Sequence, residues 1–394
     1  MGKTFSLFIA KRLRNTPSQT FSKNVTRIGI GTIALGVAIL ILSFSILRGF
    51  QNKIYDKIYD LNGHVQINLF VNQNTSSPKF FENNQQWIQK IKKNSLIDTV
   101  YEIIQSPSLV ISESSMHGLI LSNFHSSSYT PWQNQDENTL FLSKNLIKIL
   151  DTKIKDRLTV YFIGDQPLPR RVHLTNSYST GLEEIDQNIG FASTRWLRKS
   201  LKIGENQVSG FQIFLKDRKK SEKLLAEIRQ IVPPEYSIRG MEEIYPGLFD
   251  WMKLLDKNIL LLIGLLIIVA GFNIIATLYI LIIERIPMIG VLKSIGAQQS
   301  QLKSIFWWNG TFILWRGLLI GNIVGIGFAI LQSTYKFIPL NAEVYYMEYV
   351  PIEINYSSLV FINLLTIIFV LIISIIPTRY LDKLNPLEAI NYKN

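Results

Sequence analysis

The sequence predicts an integral membrane protein with four transmembrane α-helices and a large extracytoplasmic α/β domain between the first two. Two observations predict the membrane part. Four stretches, Ile28 to Leu47, Ile259 to Ile283, Phe312 to Gln332 and Ser357 to Ile376, are apolar throughout and carry one charge between them, Arg316. A bilayer core needs about 20 such helical residues. Lysines and arginines also crowd the short segments on one side of these stretches. A third observation predicts the domain: roughly 200 residues separate the first two stretches and carry ordinary polar, strand-like and helix-like patterns. Only 18% of residues are charged, the formal net charge is +12 and mean hydropathy is +0.18. These values exclude a disordered or collagen-like chain and argue against an ordinary soluble enzyme. Cysteine is absent, which removes disulfides, thiolate nucleophiles and Cys-ligated zinc from consideration.

Residues 1–27 hold Lys3, Lys11, Arg12, Arg14, Lys23 and Arg27 and no acid. Phe5, Phe8, Ile9 and Leu13 recur there at helical spacing, as in an amphipathic helix lying along a membrane surface. The first span, 28–47, is longer than a signal-peptide core and lacks a small-residue cleavage site, so it reads as a retained helix. Residues 284–311 and 377–394 are also net positive, whereas the loop 333–356 has Lys336 against Glu343, Glu348 and Glu353. The positive-inside rule then puts both termini and the 284–311 segment in the cytoplasm and residues 48–258 outside. Most of the basicity therefore marks orientation, not nucleic-acid binding.

Within 48–258, strand-like runs are His64 to Val71, Val100 to Gln105, Ser108 to Ser112, Gly118 to Ser122, Leu158 to Ile163 and Gly210 to Lys216. Helical patterns cover Gln85 to Lys93, Ser143 to Leu150, Thr194 to Leu201 and Arg218 to Ile231, the last closed by Pro233-Pro234. An inserted subdomain is expected at about 126–200. Glu183, Glu184 and Asp186 cluster in a polar turn and read as a solvated acidic loop.

After the second span (259–283), Ile286 to Ile295 forms a short segment with Met288, Ile289, Val291, Leu292 and Ile295, stopped by Gly296. A second helix follows from Ala297 to Trp308. No cytoplasmic domain is available in the chain to cover this bend, so it reads as a partner surface exposing apolar side chains. In the third span (312–332), Gly317, Gly321 and Gly325 line one helix face, which suits close helix packing within the chain or between subunits. Asn273 and Asn322 read as helix–helix hydrogen-bond partners, and Arg316 as a side chain reaching an interface. No catalytic arrangement emerges. His64, His117, His125 and His173 are scattered, and neither a zinc-protease helix nor a nucleophile elbow is present.

Particular motifs narrow this reading. Gly29-Ile30-Gly31-Thr32-Ile33-Ala34-Leu35-Gly36-Val37, continuing to Leu47-Arg48-Gly49-Phe50, stands in the first span; Asp256-Lys257-Asn258 leads to Gly271-Phe272-Asn273-Ile274-Ile275 in the second. Glu284-Arg285 precedes Ile289-Gly290-Val291-Leu292-Lys293-Ser294-Ile295-Gly296-Ala297, and Asn385-Pro386-Leu387-Glu388-Ala389-Ile390 lies near the end. With one helix, a large domain and three helices, the chain resembles the FtsX/MacB-like permeases of ABC systems, and within them the lipoprotein-releasing (Lol) type.

That resemblance implies a bacterial inner-membrane complex of two permease subunits, identical or different, with a pair of cytosolic ABC ATPase subunits. ATP and Mg would sit on the ATPase, with no cofactor on this chain. It implies ATPase coupling through Glu284, Arg285, Met288, Ile289, Gly290, Leu292, Lys293, Gly296 and Ala297. A triacylated lipoprotein would enter from membrane lipid between the first two helices, past Leu40, Phe44, Leu47, Phe50, Ile263, Ile267 and Phe272, and pass to a periplasmic carrier. Gln166, Pro167, Leu168, Pro169 and Arg170 stand where such permeases place a carrier-gripping hook, but the segment is short, which puts direct carrier capture in doubt. Efflux or cell-division permeases of the same superfamily are the alternative, and a membrane-anchored sensor has no need of the coupling segment.

Overall fold

A computed structural model describes residues 20–70, 79–123, 138–164, 169–341, 347–379 and 381. The expected N-terminal amphipathic helix and the Asn385–Ile390 motif lie outside the described residues. The chain divides into two compact units, one made of the segments up to Gln51, Met252–Pro339 and from Tyr349 onward, the other of Asn52–Trp251 with Leu340–Glu348.

The first unit is helical. Its elements are the first part of α1 (Thr20–Asn62), most of α8 (Pro246–Glu284), α9 (Ile286–Ser294), α10 (Gln299–Tyr335), α11 (Tyr356–Ile373) and α12 (Ile375–Thr378). Among the described residues, four helices are long and apolar enough to cross a membrane, each containing one of the four expected stretches. Lipid hides apolar area as well as protein does, so these helices associate through close packing and polar bonds. Gly317, Gly321 and Gly325 of α10 supply the packing. A Cβ at Gly317 would stand 2.6 Å from Ile33, one at Gly321 2.7 Å from the Ala34 carbonyl, and one at Gly325 3.1 Å from the Ala38 Cα. The glycine face is therefore used inside the chain, against α1. The polar bonds are equally local: Asn273 Nδ2 donates to Thr32 Oγ1 at 2.7 Å, joining α8 to α1. Asn322 and Asn363 exchange amide bonds of 2.7 and 3.0 Å, joining α10 to α11. Arg316 is exposed.

The second unit contains two layers of different character. A four-stranded antiparallel sheet has the order β12-β1-β11-β3, with β1 at Val65–Leu69, β3 at Ile97–Ile103, β11 at Gly210–Leu215 and β12 at Tyr236–Gly240. Helices α2 (Gln86–Lys92) and α6 (Ser221–Ile231) pack on it through Trp87, Ile88, Ile91, Leu224 and Ile228, over Ile67, Phe211 and Ile213. The one-turn α7 (Met241–Ile244) follows β12. A small ribbon pairs β2 (Phe81–Glu82) with β10 (Gln207–Val208).

The other layer is a closed barrel in the order β4-β5-β9-β6-β8-β7. Its strands are β4 Gln105–Ile111, β5 Met116–Asn123, β6 Thr139–Ser143, β7 Arg157–Phe162, β8 Pro169–Tyr178 and β9 Ile189–Ala192. In β7, Leu158, Val160 and Phe162 point inward while Arg157, Thr159 and Tyr161 do not, the period-two pattern of a barrel wall. Leu146 and Leu150 at α3 (Lys144–Ile149), with Trp196 and Leu197 of α5 (Thr194–Leu201), complete this core. The expected bounds of about 126–200 overlap this barrel but do not match it, since its strands run from Gln105 to Ala192. Only Ile104 separates β3 from β4, so no compositional break marks the boundary. Instead, hydrogen bonds mark it. Asn123 Oδ1 accepts from Ile104 N and its Nδ2 donates to the Glu102 carbonyl, while Ser209 Oγ donates to the Ile103 carbonyl and accepts from Gln105 N.

The acidic cluster is only partly solvated. Glu183 and Glu184 are exposed, but Asp186, at the end of α4 (Glu183–Asp186), is buried. Its carboxylate accepts from Thr180 N, Thr180 Oγ1 and Gly181 N, closing the preceding turn. Burial raises its pKa, against the pull of those bonds. His64, just after α1, stacks on Tyr59 with ring centroids 4.3 Å apart, and its Nδ1 accepts from Leu215 N at 3.2 Å. Burial, helped by Arg218, lowers its pKa to about 4.

Testable outcomes follow from this packing. Gly321→Leu drives a side chain into the Ala34 backbone and is expected to cost about 1–3 kcal/mol, read as a lower unfolding midpoint in detergent. Gly327→Ala, with open space around its Cβ, is expected to leave that midpoint unchanged or raise it. Neutral His64 contributes fully above its ordinary value of 6.5, and that contribution is lost as pH falls from there towards 4. The midpoint is therefore expected to drop between pH 7 and pH 5, and to drop less in His64→Gln, which keeps an acceptor for Leu215 N.

Candidate functional site

The segment expected to couple to a partner is a helical hairpin at the end of α8. Arg285 breaks the helix with φ −104 and ψ 10, Pro287 sits in the first turn of α9, and Gly296, at φ +95, reverses the chain. Gln298 then caps α10, exchanging side-chain and backbone bonds with Gln301.

The exposure of this hairpin differs from the expectation. Ile286, Ile289 and Gly290 are buried, and Met288, Leu292 and Ala297 are partly buried. Ile289, with Met288, Leu292 and Ala297 against it, packs with Ile282 of α8, with Leu302, Ile305 and Phe306 of α10, and with Leu381. No separate domain is needed to cover them, because the hairpin folds back onto the ends of its own flanking helices. What remains outside is narrower: Val291 is 49% exposed and Ile295 78%. Of the residues expected to couple, Ile289 and Gly290 are buried and hold the hairpin. Val291 and Ile295, one helical turn apart and outside that expected set, present an apolar knob. Their α-helical spacing from Ile289 was the available signal.

Lys293 also has a task inside the chain. Its Nζ donates to the Leu381 carbonyl at 3.3 Å, and Gln299 Nε2 donates to the same oxygen at 2.6 Å. Two donors on one carbonyl fasten the chain beyond α12 to the coupling hairpin. Glu284 is half-buried, and its Oε2 has no hydrogen-bond partner among the described residues.

The seam between α1 and α8 is the second place of interest. Leu40, Phe44, Ile263 and Ile267 belong to one apolar cluster, with Leu40 and Ile263 buried. Leu47 and Phe50 are half-buried. Phe272 is 71% exposed and stands outside the cluster, so the expected path brings together four of its seven residues. Helical periodicity accounts for Phe272, which is next to Asn273 in sequence and so about 100° round the helix from it.

Of the expected hook, Gln166, Pro167 and Leu168 lie outside the described residues. Pro169 starts β8 opposite Tyr161, and Arg170 pairs with Val160, so the segment is the connection of the antiparallel β7–β8 pair. Arg170 Nη2 reaches the Ser200 carbonyl at 3.5 Å, and its Nε is buried without a partner among the described residues. Among the described residues there is no cluster of metal-ligating side chains.

Residues 260–386 match the family model for the FtsX-like permease C-terminal region. The chain is 23% identical over 406 residues to the lipoprotein-releasing system transmembrane protein LolC of Haemophilus influenzae, with both chains fully covered. It is 21% identical to LolE of the same organism, covering 91% of this chain and 92% of that one. The ABC transporter permease YknZ of Bacillus subtilis is 23% identical over 64% of this chain and 63% of its own length. The resemblance to LolC/LolE-type permeases thus runs through the domain between α1 and α8 as well as the membrane ends.

Removing both donors to the Leu381 carbonyl, with Lys293→Met and Gln299→Leu, takes both of these hydrogen bonds from it. Backbone amide exchange over Ile375–Leu381 is expected to speed up at least several-fold, while exchange in the barrel strands stays unchanged.

Proposed function

We propose that this chain is the permease subunit of an ATP-driven transporter that lifts lipoproteins from the outer leaflet of a bacterial inner membrane and hands them to a periplasmic carrier. The observation that carries this reading is the full-length similarity to LolC, at 23% identity with nothing of either chain left over. Both termini and the α9 hairpin lie in the cytoplasm, and the sheet-and-barrel domain lies in the periplasm, in line with the distribution of basic residues.

In this reading the chain hydrolyses nothing. A pair of cytosolic ABC ATPase subunits binds ATP and Mg, and a second permease, identical or different, completes the complex. The Val291–Ile295 knob seats in a groove on the ATPase, with Arg285 and Glu284 at its base. Because Ile289 is packed against Ile282, Ile305 and Phe306, movement of the knob is delivered to α8 and α10 together. A lipoprotein's acyl chains enter from the lipid between α1 and α8, where Leu40, Phe44, Ile263 and Ile267 offer an apolar lining. Moving acyl chains out of hydrocarbon costs about 0.8 kcal/mol per methylene, which explains the demand for ATP. No aqueous pore is required, since the cargo leaves from the leaflet facing its destination.

Reconstitution with the ATPase subunits, a triacylated lipoprotein and the carrier tests this. ATP is expected to move lipoprotein to the carrier, and a chain that supports hydrolysis without any transfer contradicts the reading. Ile295→Asp places a charge on the exposed knob without disturbing the buried cluster. It is expected to weaken ATPase co-purification at least tenfold and abolish transfer, with an unchanged unfolding midpoint.

A further inference from the structure

The seam between α1 and α8 is pinned at two levels by polar contacts of opposite character. At one level, Asn273 Nδ2 donates to Thr32 Oγ1 at 2.7 Å. Gly29 lies so close to Thr277 that a Cβ there would stand 3.0 Å from the threonine Oγ1. At the other level, Gln51, only 3% exposed, crosses from α1 to α8. Its Nε2 donates to the Met252 carbonyl at 3.3 Å and to Asp256 Oδ1 at 3.2 Å, while its Oε1 accepts from Arg48 at 3.4 Å. Between the two levels, Leu40, Phe44, Ile263 and Ile267 lie in one apolar cluster.

The two levels differ in what happens when they part. Separating Asn273 from Thr32 strands an amide among apolar side chains, which is costly. Separating Gln51 from Asp256 costs less, because Asp256 is exposed and the water that reaches its carboxylate can also take up the glutamine amide that leaves it. The bonds at that level are also the longer ones. A seam so built parts from the Gln51 end and pivots about the Thr32 end.

We infer that Gln51 is a releasable latch, closed on Met252 and Asp256, that positions α1 against α8 and must open to admit an acyl chain, while Thr32–Asn273 is the fixed pin. This rests on the functional reading above and names the residues that regulate the same path. Gln51 acts here as a positioning residue; it holds the helices and need not touch cargo.

The chain contains no cysteine, so engineered pairs in it can be bridged selectively with a reducible bifunctional thiol reagent. Two pairs are compared in the reconstituted complex: Gln51→Cys with Asp256→Cys at the latch, and Thr32→Cys with Asn273→Cys at the pin. In the first measurement, bridging yield at the latch is expected to fall several-fold when a non-hydrolysable ATP analogue is added, with an unchanged yield at the pin. In the second, bridging the latch is expected to cut lipoprotein transfer at least tenfold while ATP hydrolysis continues, and reductant to restore it. Bridging the pin is expected to leave transfer intact. The latch is overturned by a yield that ignores nucleotide, by transfer that persists through the bridge, by a loss that reductant does not reverse, or by equal inhibition at the pin. Should the unbridged complex transfer no lipoprotein at all, the functional reading falls, and the bridging yields still decide the latch.

Discussion

Two helices surrounded by hydrocarbon gain little by hiding apolar surface from each other, so their contact depends on how near their backbones come and which polar groups meet. In this chain that constraint is met by the face of α10 carrying Gly317, Gly321 and Gly325, which lets α1 approach until Ile33, Ala34 and Ala38 stand where side chains would otherwise be. The rest of the helical unit is arranged around this approach. Two polar pairs, Thr32–Asn273 and Asn322–Asn363, attach α8 and α11 at its sides. The α9 hairpin in turn packs against residues that α8 and α10 hold in place.

The membrane part was largely legible in the sequence because its code is local. Twenty apolar residues in a row identify a span, and glycines four apart identify a face, whatever lies elsewhere in the chain. The face did not reveal its partner, however, since small-residue spacing describes one surface only. The barrel was less legible. Strand β6, Thr139–Ser143, is buried at every position and shows no alternation, while β8 opens on Pro-Arg-Arg and shifts register against β6 at Leu140/Phe141. The parallel pairings β5–β9 and β6–β8 join strands remote in sequence, and no short-range pattern encodes them.

The candidate site divides in the same way. Its position followed from the Glu284–Ala297 motif, but which side chains face outward depended on three elements folding back on α9. Ile289 and Val291 are equally apolar in the sequence, yet one is buried and the other half exposed. Asp186 shows the same limit from the polar side. As one of three clustered acids it reads as solvent-facing, and only the turn at Thr180 and Gly181 reveals it as a buried anchor. Gln51 gives no signal at all, being one polar residue after an apolar run; its role is visible only with Met252 and Asp256 beside it.

The stitched junction between sheet and barrel has a consequence for how such a chain can change over generations. Ile103 and Ser209 are neighbours, bonded directly through N–H and hydroxyl, although more than a hundred residues of chain run between them. The chain enters and leaves the insertion through this doorway, with Asn123 and Arg198 adding contacts to Glu102 beside it, and lengthening what lies beyond it adds little closure entropy. The barrel is therefore a cassette. Its loops, or the whole of it, can be exchanged for another recognition surface while β3 and β11 still pair as before. A lineage could thus acquire a new extracytoplasmic partner without redesigning its membrane machinery.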